Sequence, residues 1–252
     1  MPQQLRTAER YYRFSERLAA RAAQRAAQQA TLAGAAAVVI AHQASQANEA
    51  QAATTAMLAE QGIQAPAVAQ LAPLAFTTAP QSVEAMLSQA EVDWRFSRLV
   101  RSLVQDSGRA AQSVDSAARP RVHHVRHLTL PSCSRCAVLA GRIYRYSEGF
   151  QRHPGCDCVM VPVTVASPDL TYDPAELARD GRVTGLSKAD LKAINEGADF
   201  SQVVNVRSRK AGLSDSGEVL QRAGRLTPAG IYRRADTREE AVDLLKQAGY
   251  LR

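Results

Sequence analysis

Aromatic residues make up only 5% of this 252-residue chain, and Trp94 is its single tryptophan. Hydrophobic residues still reach 46%, so much of the apolar content is alanine. Turn residues are missing from Leu5 to about Gly62, where there is no proline and Gly34 is the lone glycine. That excludes a strand-and-turn architecture there and, alanine being the strongest helix former, predicts one long helix or a helical hairpin. No long hydrophobic run exists. Ala30 to Ala41 is apolar apart from Thr31, but it falls far short of the roughly 20 residues needed to cross a bilayer. It reads as a buried helical segment packed against a partner helix, Gln46 to Gln61, and no membrane partner is expected. The start, Met1 to Arg6, lacks the charged segment and apolar run of a secretory leader, which argues against disulfides, since these need an oxidising compartment. Acids are scarce between Arg119 and Arg152: Glu148 alone stands against Arg119, Arg121, Arg126, Arg135, Arg142, Arg145 and Arg152.

The cysteines are few and close together. They fall as Cys133-x-x-Cys136 and Cys156-x-Cys158, with His153 three residues ahead of the second pair. A C-x-x-C turn places two thiolates on one side of a tight loop, at the separation a tetrahedral Zn²⁺ needs with Zn–S bonds of about 2.3 Å. If Cys156 to Cys158 is extended, both side chains point to one face and a four-cysteine site forms. If Pro154-Gly155 curls back, His153 binds instead and gives three cysteines and a histidine. Soft ligands filling all positions leave no place for an activated water, so the site reads as structural. Gly141 to Tyr146 reads as a short strand with Ile143 facing away from Tyr144 and Tyr146. His123 and His124 have no cysteine or carboxylate near enough in sequence to form a second metal site.

With 252 residues and a net charge of +7, one to two domains are expected. In the N-terminal half Arg6, Arg10, Arg13, Arg17, Arg21 and Arg25 recur every three or four residues and form one helical stripe. Such a ridge can bind phosphates or an acidic protein surface, or remain a solvated face beside Glu9 and Glu16. Tyr11, Phe14, Leu18 and Ala22 supply the packing face. Pro66, Pro73 and Pro80 interrupt helix between Gln64 and Gln81. Ser82 reads as an N-cap, and Val83 to Ala118 as one helix or two with a break near Gly108. Trp94 reads as a core anchor. Beyond Pro162, helix starts are expected at Asp173-Pro174, Ser187-x-x-Asp190 and Thr237-x-x-Glu240, with stops at Gly197 and Gly249. Ala241, Leu244, Leu245 and Ala248 form the last helix's buried stripe, and Arg207 to Gly217 reads as a mobile loop.

The run from His127 to Cys136, then Ala140-Gly141-Arg142, then Gly149-Phe150-x-Arg152-His153-Pro154-x-Cys156-Asp157-Cys158, resembles the Mu F-like minor head proteins of tailed bacteriophages, in the form found in phages of actinobacteria. Glu196 to Asn205 and Leu226 to Tyr232 are similar to segments that follow the cysteines in that group. The resemblance implies a virion component near the portal, in the capsid interior or at the portal vertex, assembled in the host cytoplasm. The partners it implies are the portal or major capsid protein, with packaged DNA as a further one through the basic residues and no small-molecule substrate. Some members are called capsid maturation proteases, but no protease constellation stands out here. The expected fold is mostly α with a small α+β part: a helical domain over residues 1–118, a Cys/His zinc-knuckle module over 119–165 and an α-rich region over 166–252. The expected function is structural, with Cys133, Cys136, His153, Cys156 and Cys158 as candidate zinc ligands. A zinc-containing DNA-binding protein is one alternative. A protease or nuclease is another, for which Glu148 and His153 are the nearest candidate pair.

Overall fold

The computed structural model describes residues 5–67, 70–90, 92–145, 148, 150, 158–167, 170–206, 219–220, 225–226 and 228–248. The fold is mostly helical with a small sheet component, and the chain divides into two compact units. One comprises Pro2–His127 with Arg142–Thr171, the other Leu128–Gly141 with Tyr172–Arg252. Residues 119–165, which the cysteine pattern reads as one module, therefore contribute to both.

In the first unit the alanine-rich stretch forms a hairpin of α1 (Arg6–Ala27) and α2 (Leu32–Glu60). Thr31 caps α2 by accepting the Gly34 N–H at 3.0 Å. The start of α1 has no local cap; instead the Glu60 carboxylate accepts the Arg6 and Thr7 N–H groups, each at 2.9 Å. Ala30 to Ala41 and Gln46 to Gln61 are not partners in a pair, because α2 runs through both. Ala35, Ala36 and Val39 instead pack against Ala19, Ala22, Ala23 and Ala26 of α1. The proline-rich segment forms a short 3-10 turn, Pro73–Phe76, before α3 (Pro80–Ser88) and α4 (Asp93–Ala117). Pro80 occupies the first turn of α3 and Ala79 its N-cap, so Ser82 lies inside the helix rather than capping it. The sequence allows one helix or two with a break near Gly108; the structure has two, α3 ending at Ser88 and α4 starting at Asp93, and α4 runs unbroken through Gly108. A Cβ there would lie 2.6 Å from Tyr11 Oη and 2.7 Å from Gln46 Cγ, so this glycine is where three helices approach closely.

Against this bundle lies a two-stranded antiparallel sheet of β1 (His123–His127) and β3 (Val159–Val163), with Val125 opposite Val161. His124 bonds outward to Tyr144 through both backbone groups, at 3.0 and 2.7 Å. This is one isolated bridge, where the sequence predicts a short strand over Gly141 to Tyr146; Tyr146 lies outside the described residues. The far edge of β3 is covered by helix side chains. Arg109 donates to the Cys158 carbonyl at 3.2 and 3.1 Å, Gln112 to Met160 at 3.2 Å and Gln61 to Pro162 at 2.8 Å. Alternate carbonyls of an edge strand are thereby paired instead of being left as a template for another strand.

The second unit begins with β2 (Ser132–Cys133) and α5 (Ser134–Leu139), followed by α6 (Pro174–Arg179), β4 (Val183–Thr184), α7 (Lys188–Asn195) and α8 (Phe200–Asn205). Then come β5 (Val219–Leu220), β6 (Arg225–Leu226), α9 (Pro228–Arg234) and α10 (Arg238–Gln247). The caps fall where the sequence places them. Asp173 accepts from Ala175 and Glu176, Ser187 and Asp190 form a reciprocal capping box, and Thr237 caps α10. Gly197, with φ 95°, follows α7. In α10 Ala241 and Leu245 are buried while Leu244 and Ala248 are half-buried. The loop expected over Arg207 to Gly217 and the stop at Gly249 lie outside the described residues.

Candidate functional site

The cysteine turn is held by a short strand pairing ahead of it and by a cap inside it. Ser132 and Cys133 form a parallel pairing with Val183 and Thr184, and the Thr184 hydroxyl donates to the Ser132 carbonyl at 3.4 Å. The chain then enters α5 with Cys133 as its N-cap, whose Sγ accepts the Cys136 N–H at 3.4 Å. Cys133 is half-buried and Cys136 buried. These features fit two ligands of a zinc site.

Cys158 belongs to the other unit and is buried at the start of β3. Its carbonyl is held by Arg109, which also pairs with Asp106 at 3.1 Å. His153 and Cys156 lie outside the described residues. Among the described residues, no group of three or more His, Cys, Asp and Glu side chains converges as a metal site. His123 and His124 are consecutive on β1 and point to opposite faces. His124 stacks on Tyr144, with ring centroids 5.4 Å apart. Burial lowers the pKa of His127 despite the opposing charge of Glu9. Glu148 is exposed; it accepts the Arg145 N–H at 2.6 Å and lies 3.7 Å from Arg142.

The basic stretch between Arg119 and Arg152 is used partly inside the fold. Arg119 is buried against Asp115 at 2.9 Å and also donates to Thr55 and to the Ala65 carbonyl. Arg126 is buried with its guanidinium 4.0 Å from the Phe150 ring centroid. Tyr144, which is buried, and Phe150, which is half-buried, pack around His124.

Arg121, Arg135, Arg142 and Arg145 of this stretch are exposed, and a second run of exposed positive charge lies on α1. Arg6, Arg10, Arg13, Arg17, Arg21 and Arg25 are all exposed along α1, as the spacing predicts. Glu9 reaches Arg13 at 3.6 Å, whereas Glu16 turns away from the stripe to Arg101 and Gln105 of α4. Tyr11 beside Gly108 and Glu16 beside Arg101 set the two helices antiparallel.

No protein-family model, no curated protein and no solved structure matches the chain.

Trp94 is a correction to the sequence reading. It is 57% exposed, because the buried stripe of α4 follows Val100, Val104 and Ala111 and Trp94 is out of phase with it. Its ring lies 5.3 Å from the Arg95 guanidinium and 4.7 Å from that of Arg98. The signal was present in the spacing, since Trp94, Arg98 and Arg101 stand at i, i+4 and i+7 on one face. Among the described residues no helix is long and apolar enough to cross a membrane.

Proposed function

We propose that this chain is a structural minor head protein of a tailed phage or prophage, docking near the portal on the portal or major capsid protein. The observation that carries the reading is the combined spacing Cys133-x-x-Cys136 and His153-Pro154-x-Cys156-x-Cys158, which resembles that of the Mu F-like group. The built turn around Cys133 and Cys136 supports a structural zinc. Cys133 and Cys136 supply two thiolates, and the rest of the ligand set comes from His153, Cys156 and Cys158. Zinc in such a set supplies cross-linking for a region with little core of its own. Adhesion to partners falls to the exposed helical surface.

Quantitative mass spectrometry of purified mature particles and of their unfilled precursors tests the assignment. A few copies of the chain in both support a portal-proximal head protein. Loss on maturation would replace it with a scaffold or maturation role, and absence from both would remove it. A nucleic-acid-binding role is favoured by a separate observation, the exposed arginines of α1 and α4.

A further inference from the structure

Every lysine-or-arginine position before Lys188 is arginine. Arginine differs from lysine in presenting a planar fork that binds phosphate bidentately and stacks on rings. On α1 the exposed arginines follow one another at about 5 Å of helix rise, three to four residues at 1.5 Å each. On α4 the guanidiniums of Arg95 and Arg98 lie over the exposed Trp94 ring, and Arg101 lines the same hollow as Trp94, beside Glu16 of α1. Two hollows lie on either side of Arg98. One, of about 370 Å³, is lined by Trp94, Arg98, Arg101, Gln105 and, from α1, Glu16. The other, of about 360 Å³, is lined by Met86, Ala90, Arg95, Arg98, Leu99 and Leu103. The charge of Glu16, the one acid in these linings, is already met by Arg101.

Each hollow is large enough for one flat ring system, carries apolar or aromatic surface, and has guanidiniums at its margin. A duplex hides its bases and would use the arginines alone. An acidic polypeptide would satisfy the charge but carries a ring only at its aromatic residues, whereas every nucleotide of a single strand brings a phosphate and a ring together. From this we infer that the α1–α4 face binds single-stranded nucleic acid, with an unpaired base stacked at Trp94 and the phosphates held by Arg95, Arg98 and Arg101 and by the arginine stripe of α1. Stacking platforms beside a basic track are the usual device for sequence-tolerant single-strand binding. The inference is independent of the phage reading: the chain can be absent from particles and still bind a strand in this way.

The test uses the full chain and an oligothymidylate long enough to cover about 16 nucleotides. Because Trp94 is the only tryptophan, stacking is read directly as quenching of intrinsic fluorescence, and affinity as anisotropy of a labelled strand. Quenching is expected, with Kd rising steeply with salt. Trp94→Ala should weaken binding about tenfold, and Arg98→Ala should lower the salt slope by about 0.7. Both side chains are exposed, so the fold is retained, which circular dichroism checks. Absence of binding at low salt overturns the inference. So does equal binding of polyglutamate with the same quenching, which would mark an acidic protein surface. Duplex bound as tightly as the single strand, with Trp94→Ala unchanged, overturns the stacking site.

Discussion

At Gly108 a missing carbon lets three helices meet. Tyr11 of α1 and Gln46 of α2, joined by a 3.0 Å hydrogen bond, occupy the space a side chain on α4 would fill. Burial pushes the Tyr11 hydroxyl well above the ordinary tyrosine range, against the hydrogen bond to Gln46 and the nearby Arg109 charge. Gly108→Ala gains about 1 kcal/mol of helix propensity, but the overpacking should cost about 1–3 kcal/mol. The expected result in urea unfolding is a net loss; a variant more stable than its parent would show that Tyr11 and Gln46 separate freely. The same position shows what a sequence conceals. Glycine in a helical pattern reads as a break, and its role as a contact point depends on residues of α1 and α2 far away in the chain. Trp94 differs from its reading for a related reason: Phe96, Leu99 and Val100 continue an apolar pattern after it, but only the phase of Val100 and Val104 decides which face is buried.

At the scale of elements, local signals were legible and distant ones were not. Asp173, the Ser187–Asp190 box and Thr237 cap helices that begin within a few residues of them. Glu60 caps α1 from 53 and 54 residues away, and no local pattern announces that. Partial burial pushes the Glu60 carboxyl up, but hydrogen bonds from the Thr7 hydroxyl and the Thr7 and Arg6 amides, together with the Arg6 charge, hold it below its ordinary value. A depressed folded pKa means that its stabilising contribution is complete above the unfolded value, near 4.5, and is lost as pH falls through the folded value. Glu60→Gln should therefore lose stability at neutral pH and flatten the acid limb of the stability profile. An acid limb identical to the parent's would assign that limb to other carboxylates. Replacement by alanine, which removes both acceptor oxygens, should cost about 1 kcal/mol.

For the whole molecule, the mostly helical class was readable from alanine content and missing turns, and the Cys133–Cys136 turn from its spacing. The division of the chain was not, because β1 and β3 are drawn to the helical bundle by contacts that composition does not encode. If zinc is present at about one ion per chain, chelation or Cys136→Ser should speed amide exchange in β2 and α5. The amides of α1, α2 and α4 should stay protected, since their packing needs no metal. Exchange unchanged by a chelator in both regions would remove zinc from the account. The covered edge of β3 carries a consequence for synthesis. Gln61 finds the Pro162 carbonyl 101 residues downstream, and Arg109 and Gln112 find theirs 49 and 48 residues on. A ribosome from whose exit tunnel α4 has just emerged thus carries a nascent bundle whose side-chain donors are still served by water. That bundle stays incomplete until the segment ending at Val163 has left the exit tunnel.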